Sequence, residues 1–134
     1  MKSPSLTRVA LYSLAVLIII AVLFYRYSPR CTAGDCVNGT GVRQQTGVFH
    51  YAGEFRNGRA HGRGVFESIA TGHQYDGEWQ GGLMHGQGRY RYPDGTEYEG
   101  EWRDNLRHGR GELRNRADGR VIYAGEWIAG ERAP

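Results

Sequence analysis

The chain has 134 residues with 17 basic and 14 acidic side chains, which gives a formal net charge of +3. The whole excess lies before residue 37, because residues 37–134 contain 13 arginines and 13 aspartates or glutamates. A neutral distal part excludes binding to nucleic acid through its phosphates, and 21 glycines with only two cysteines exclude a helical bundle and a multi-disulfide scaffold.

The first predicted element is an apolar helix over residues 9–27, after a short tail over residues 1–8. Between Arg8 and Arg26 lie 17 residues without a charge, which is close to the minimum that crosses a bilayer. We interpret the helix as an uncleaved transmembrane anchor with its N-terminus in the cytoplasm. A cleaved signal peptide is the alternative, but bulky and charged residues follow the apolar stretch where a cleavage site would need small ones.

A juxtamembrane linker over residues 28–36 contains both cysteines. Cys31 and Cys36 enclose a turn-rich tetrapeptide that allows their sulfurs to meet, so the sequence predicts a disulfide. Half of a metal site and two unpaired thiols are the alternatives, the former lacking further cysteines to complete it. A disulfide suits an oxidising compartment, and we therefore expect the remaining residues in a bacterial periplasm, attached to the inner membrane.

Residues 37–134 are organised as a repeat of 23 to 25 residues. A pentad, Tyr-x-Gly-Glu-aromatic, occupies residues 51–55, 75–79, 98–102 and 123–127. A tetrad, His-Gly-x-Gly, runs in phase with it at residues 61–64, 85–88 and 108–111, and Asn38-Gly39-Thr40-Gly41 is an incomplete first copy. The recurring residues are Tyr51, Gly53, Phe55, His61, Gly62, Gly64, Tyr75, Gly77, Trp79, His85, Gly86, Gly88, Tyr98, Gly100, Trp102, His108, Gly109, Gly111, Tyr123, Gly125 and Trp127.

Each pentad and each tetrad predicts one β-strand. Because side chains alternate along a strand, the aromatic residues and the glycines of a pentad share one face. We expect the glycines to leave room for a neighbouring tyrosine or tryptophan ring to lie across the backbone. Turn signals such as Arg56-Asn57-Gly58 and Pro93-Asp94-Gly95 separate the strands. The predicted fold is all-β: a single-layer antiparallel meander of about eight stacked strands, preceded by one transmembrane α-helix.

The pattern Tyr-x-Gly-x-x-x-x-Gly-x-x-His-Gly-x-Gly resembles the MORN repeat (membrane occupation and recognition nexus), and the resemblance covers residues 37–134. It implies a shallow twisted sheet of stacked hairpins without chemistry of its own. Proteins with these repeats act as scaffolds, as dimerising modules or as surfaces apposed to lipid. We therefore expect a protein-binding or scaffolding module at the cell envelope, with a module that binds anionic lipid as the alternative.

The candidate chemical groups favour structure over catalysis. His61, His85 and His108 are expected about 10 Å apart on successive hairpins, too far to share one metal ion. The only serine of the repeats is Ser68 and they contain no thiol, so a nucleophile is lacking. We expect no enzyme, no cofactor and no metal. An acidic row on the face opposite the aromatic rings is expected to pair with arginines on neighbouring strands; it comprises Glu54, Glu78, Glu101 and Glu126, opposite Arg56, Arg63, Arg89, Arg103 and Arg110.

Two surfaces are candidates for partners. The last pentad strand lacks a following tetrad, so its edge is expected to bind a partner strand or a second copy of the chain; the candidate residues are Ile122, Tyr123, Trp127 and Ile128. The segment Arg103–Arg120 holds six arginines against three acidic residues and is a candidate for lipid headgroups.

Overall fold

The computed structural model describes residues 16–25 and 28–134. Within these ranges, ten strands form one antiparallel sheet, and each strand pairs with the next one in the chain. The strands are β1 (Arg30–Gly34), β2 (Thr40–Gln45), β3 (Phe49–Arg56), β4 (Arg59–Ser68), β5 (Gln74–Gln80), β6 (Leu83–Arg91), β7 (Thr96–Arg103), β8 (Leu106–Asn115), β9 (Val121–Ile128) and β10 (Glu131–Arg132). The predicted all-β meander is confirmed, but eight strands was too few, because β1 and β10 lie outside the repeat pattern.

The predicted membrane helix lies partly outside the described residues. Residues 16–25 are helical and their side chains are exposed, whereas residues 1–15 and 26–27 are not described. Among the residues that the structure describes, no helix has both the length and the apolar character needed to cross a membrane.

Tight turns join each pentad strand to the strand that follows it. The two central residues of each turn have positive φ, at Asn57-Gly58, Gly81-Gly82, Asp104-Asn105 and Ala129-Gly130. Two successive positive φ angles define the type I′ turn, whose twist matches that of the flanking strands. The first three turns lie where the sequence predicted them, and the fourth creates β10.

Ala129 is the one alanine that adopts the left-handed backbone conformation in the described chain, with a φ of 51°. That conformation costs an L-residue other than glycine about 1–2 kcal/mol. Replacing Ala129 with glycine is expected to raise the free energy of unfolding by about 1 kcal/mol, measurable by urea denaturation. Ala117→Gly, at an exposed turn position with ordinary φ, is the control, and an equal gain there would contradict this account.

One face of the sheet carries a continuous aromatic layer, which is the core. Tyr75 and Tyr98 are fully buried, and Trp102 and Trp127 are 5% and 2% exposed. Their rings meet edge to face, with 5.5 Å between the centroids of Tyr75 and Trp102 and 5.3 Å between those of Tyr98 and Trp127. This arrangement gives aromatic pairs stabilisation beyond the burial of their area.

Hydrogen bonds to backbone oxygens fix the tyrosine and tryptophan side chains of the pentads. The hydroxyl of each pentad tyrosine donates to the carbonyl oxygen of the glutamate three residues later, at 3.0 Å in all four copies. Each pentad tryptophan donates its Nε1–H to the backbone oxygen of the glycine that ends an earlier tetrad. The distance from Trp102 Nε1 to the Gly88 oxygen is 3.1 Å. The predicted reason for the glycines is confirmed at the tetrads, since a Cβ on Gly88 of β6 would lie 2.5 Å from ring atoms of Tyr75 on the neighbouring strand β5. At the pentad glycine Gly77, the nearest atom to a Cβ would be the Gly88 Cα, at 2.5 Å.

The predicted disulfide is present between Cys31 and Cys36. It lies in residues 28–36, which were predicted to be a linker. In the structure this segment contains β1, the first strand of the sheet. β1 pairs with β2, with Gly34 opposite Gly41, and Cys36 is 3% exposed against Tyr51 and Phe55. The covalent link therefore joins the first strand to the first core cluster.

Candidate functional site

An open groove on the aromatic face is a largely apolar concave surface. Its volume is about 470 Å³ and it crosses strands β2 to β6. Its lining comprises Arg43, Phe49, Tyr51, Phe55, Gly58, Arg59, Ala60, Phe66, Trp79, Gly82, Met84, Tyr90 and Asn105. We call this surface the aromatic groove. Its size and composition are those of surfaces that accept the side chains of a ligand.

The walls of the aromatic groove are held rigidly by their own contacts. The Trp79 ring meets Tyr51 and Tyr75 edge to face, at centroid distances of 5.4 and 5.0 Å, and its Nε1–H donates to the Gly64 oxygen at 3.0 Å. Met84, a flexible and polarisable side chain, is half-buried beside Trp79. The groove thus combines fixed rings with one adaptable side chain.

The lining of the aromatic groove includes two arginines and no carboxylate. Arg43 lies over the Phe55 ring, with its guanidinium carbon 4.7 Å from the centroid, and donates to the oxygens of Gly58 and Cys36, each at 2.7 Å. It stands two residues after its tetrad, where later repeats have Phe66, Tyr90 and Leu113. This cationic position was missed in the sequence reading, although the break in the aromatic pattern is visible there.

The opposite face of the sheet is charged and largely self-paired. Arg91 lies 3.0 Å from Glu97, and Arg89 and Arg114 lie 3.2 and 3.3 Å from Glu99. The predicted cross-strand ion pairs therefore exist on this face, but the predicted members were wrong except for Arg89. The pairs join the arginines that follow the tetrads on β6 and β8 to Glu97 and Glu99 of β7, because those side chains face one another in register.

The acidic row predicted to pair with arginines instead accepts backbone amides. The carboxylates of Glu54, Glu78 and Glu101 accept from the amides of the residues two places after the tetrad histidines, at 2.8, 3.3 and 2.9 Å. Each carboxylate covers a tetrad glycine with positive φ, Gly62, Gly86 or Gly109, at a register shift in the ladder. The glutamates therefore fill β-bulges, which explains why the second residue of the tetrad is glycine.

Glu101 and Glu126 provide a matched pair for measuring this contact. The Glu101 carboxylate accepts the Arg110 amide, whereas in the described part of the chain no hydrogen bond reaches the Glu126 carboxylate. We expect Glu101→Ala to lower the free energy of unfolding by about 1–2 kcal/mol, because the bulge amide loses its partner. Glu126→Ala should change it by less than about 0.5 kcal/mol. Equal losses in urea denaturation would contradict the assigned role.

The tetrad histidines are not brought together. No three metal-ligating side chains cluster within the described ranges. His61, His85 and His108 are half-buried, and the nearest carboxylate to one of them is that of Asp104, 3.7 Å from His85 Nδ1.

The core tyrosines have perturbed hydroxyl groups. Burial raises the pKa of Tyr51 and of Tyr98 to about 12, and raises that of Tyr75 further in the same direction. The charges of Glu54 and Glu78 add to the rise at Tyr51 and Tyr75. These hydroxyls are thus structural donors at neutral pH.

The predicted partner edge on β9 is partly covered. β10 pairs with Ile128 and Trp127, and the Ala133 amide donates to the Glu126 oxygen at 2.8 Å. Of the candidate edge residues, Trp127 is a core side chain, whereas Ile122 and Ile128 are exposed. The expectation of a wholly unpaired strand was therefore wrong for its last three residues, and the backbone before Glu126 has no outer neighbour within the described residues.

The arginines of the predicted lipid-binding segment do not form one patch. Arg107 stacks on Trp127, with 4.0 Å from its guanidinium carbon to the ring centroid, and donates to the Gly130 oxygen at 2.7 Å. Arg114 pairs with Glu99 and Glu112 on the other face. Of the remaining arginines, Arg103 ends β7, Arg110 lies in β8, and Arg116 and Arg120 lie between β8 and β9.

Comparison with protein families assigns three segments of this sheet. The model described as MORN repeat matches residues 51–68, 75–97 and 98–115, and each match begins at the tyrosine of a pentad. Comparison with curated proteins found no match. Repeats of this kind are generally non-catalytic modules that bind protein or lipid. The fourth pentad and the tetrad at residues 38–41 extend the same pattern beyond the matches. Three segments of the chain therefore match the MORN repeat.

Proposed function

We propose that this chain is a non-catalytic protein-binding module, held at the bacterial inner membrane by an N-terminal helix over residues 9–27, with its repeats in the periplasm. The observation that carries the binding role is the aromatic groove. Rigid rings, one methionine and two arginines line it, and none of its lining residues is acidic. No serine, threonine, cysteine, histidine or lysine lines it.

The chemistry of the groove indicates the kind of partner. Moving an apolar side chain from water onto the rings of Tyr51, Phe66 and Trp79 lowers the free energy. A carboxylate near Arg43 gains a charge-assisted hydrogen bond from a guanidinium that is already fixed by two carbonyl oxygens. The proposed ligand is a protein segment with an aromatic or aliphatic anchor beside an acidic residue.

A displayed library of random peptides tests this proposal on the full chain in a mild detergent. We expect selection of acidic peptides with an apolar anchor, and quenching or enhancement of tryptophan fluorescence when a selected peptide is titrated. Arg43→Gln removes the guanidinium and its charge, and it should weaken binding about tenfold.

The matched control is Arg63→Gln, which alters an exposed arginine on the opposite face. It should leave the affinity unchanged. Peptides that bind the two variants equally, or a selection without acidic residues and apolar anchors, would overturn the assignment of the groove.

Binding to anionic lipid is the alternative. The arginines of Arg103–Arg120 favour it by number, and their division between two faces argues against it. Flotation with phosphatidylglycerol vesicles, using a chain that lacks residues 1–27, separates the two functions. Strong flotation that falls with salt would establish the lipid surface and displace the groove as the principal site.

The periplasmic location is tested by alkylation of Cys31 and Cys36 in intact cells, with and without prior reduction, scored by mass. Protection before reduction is the expected result, because an exported domain keeps its disulfide. Free alkylation without reductant would place the repeats in a reducing compartment and overturn the proposed topology.

A further inference from the structure

The N-terminal end of the repeat stack is closed by a segment that imitates a repeat. Where Glu54 covers Gly62, the Asp35 side chain covers Gly39, and a Cβ on Gly39 would lie 3.1 Å from the Asp35 Cβ. The Asp35 carboxylate accepts the amides of Val37 and Asn38 at 2.8 and 3.1 Å. Asp35 thus covers its tetrad glycine as a pentad glutamate does, but its amide donors are the first tetrad residue and the one before it, not the third tetrad residue.

The disulfide-bonded Cys36 takes the place of a pentad tyrosine. The Tyr51 ring covers the last glycine of its tetrad, Gly64, and Cys36 Sγ likewise covers Gly41, 2.9 Å from where a Cβ would stand. In β1, Gly34 lies opposite Gly41, in the register that Gly53 has with Gly64. We call residues 31–36 the disulfide cap.

Beneath the disulfide cap, β2 has the edge of an ordinary tetrad strand. The oxygens of Thr40 and Val42 point towards the cap, since they accept from the Asp35 amide at 2.9 Å and the Thr32 hydroxyl at 3.4 Å. In the three complete repeats, the same edge of a tetrad strand pairs with a pentad strand. The strand that fits the β2 edge is therefore a pentad strand.

The same chain presents such a strand at its other end. β9 carries the fourth pentad, and β10 pairs with only its last two residues. The outward edge includes Ala124, since backbone groups alternate between edges and the Glu126 oxygen already faces outward to Ala133. The Glu126 carboxylate has no amide donor among the described residues, whereas its three counterparts each have one.

We propose that the disulfide cap blocks an edge which otherwise pairs with β9 of a second copy of this chain, with Gly125 of one copy opposite Gly41 of the other. A dithiol opens it by exchange: the Cys31–Cys36 bond takes up two electrons and two protons to give two thiols, and the dithiol becomes a disulfide. Because the two edges differ, the contact is head to tail and continues from copy to copy.

The attachment of β1 explains why the disulfide controls this edge. All five residues of β1 are exposed, and they place no side chain in the aromatic core. Cys36 is the buried residue that fixes the segment, and Cys31 ties β1 to it. Without the covalent bond, β1 is held by a short and irregular ladder and by the hydrogen bond from the Thr32 hydroxyl to the Val42 oxygen.

Light scattering after size-exclusion chromatography tests the proposal on the full chain in a mild detergent. The oxidised chain should keep one mass at all concentrations. The chain reduced with dithiothreitol, and the Cys31→Ser variant, should gain mass in steps of one copy as the concentration rises. Reduced and oxidised chains of equal mass, with the reduced form still folded by tryptophan fluorescence, would overturn it.

Two proline variants establish which edges meet. Val42→Pro removes an amide from the outward edge of β2, and Ala124→Pro does the same on β9. Under reduction each variant alone should keep the mass of the oxidised chain, and an equimolar mixture should form a complex of two copies, because each retains one intact edge. Val42→Ala and Ala124→Ser are the matched controls and should assemble.

Other results would overturn the head-to-tail contact. Assembly of Val42→Pro alone, with loss in Ala124→Pro, would mean that two β9 strands pair with each other. Assembly of both variants alone would mean that neither edge is involved. If one proline variant is unfolded, the other still decides whether its own edge is needed.

Discussion

Replacing Gly77 with alanine is expected to lower the free energy of unfolding by about 3 kcal/mol or more. The new Cβ would lie 2.5 Å from the Gly88 Cα, 2.7 Å from the Gln87 oxygen and 2.6 Å from the Tyr75 hydroxyl. Two of these are backbone atoms of the neighbouring strand, so the strand itself would have to move. Urea denaturation followed by tryptophan fluorescence measures the loss.

The control for this prediction is Gly58→Ala. Gly58 has a φ of +70° and nothing within 4 Å of the Cβ position. Alanine there is therefore destabilised only by its left-handed backbone conformation. We expect a cost of about 1 kcal/mol. If both variants lose the same free energy, close packing of strands at the pentad glycine is not what requires glycine at residue 77.

Alkaline pH is expected to unfold the sheet between about pH 10 and 12. A tyrosine in the unfolded chain titrates near 10, whereas Tyr51 and Tyr98 in the fold have pKa values of about 12. Between these values the unfolded chain binds fewer protons than the folded one, so stability falls as pH rises. The free energy of unfolding keeps its full value below pH 10. By pH 12, the ionisation of each of the two tyrosines in the unfolded chain has lowered it by about 2–3 kcal/mol.

Circular dichroism and tyrosinate absorbance follow this transition together. Tyr98→Phe should lose about 1 kcal/mol at neutral pH, because the 3.0 Å bond to the Glu101 oxygen is gone. It should then fall less steeply above pH 10, since one titrating group has been removed. Tyrosinate that appears near pH 10 while the sheet stays folded would contradict the burial of these hydroxyls.

The repeat period allowed most of the fold to be predicted because each recurring residue has a local physical reason. A tyrosine two residues before a glycine, with a glutamate after that glycine, indicates a strand in which the tyrosine ring lies over the backbone of the same strand. Strand order followed from the short turns, since a two-residue connection can only join antiparallel neighbours. The disulfide followed from spacing alone.

The disulfide cap and the groove could not be predicted in the same way. The cap repeats the role of a pentad with different residues, Asp35 for a glutamate and Cys36 for a tyrosine, so no period marks it. The role of the acidic row was misassigned because a β-bulge changes which groups a side chain meets. Arg43 breaks the repeat, and only the structure shows that it stands over Phe55 beside the groove.

The order of the strands also decides how the molecule responds to tension. The first and last strands lie at opposite edges of a sheet in which every strand bonds only to its sequence neighbours. A load applied between the two ends of the sheet acts along the interstrand hydrogen bonds, which then break a few at a time, as a zipper opens. We expect a low, stepwise unfolding force, with one hairpin released at each step. Residues 31–36 are shielded from the load, because the disulfide carries it directly from Cys31 to Cys36.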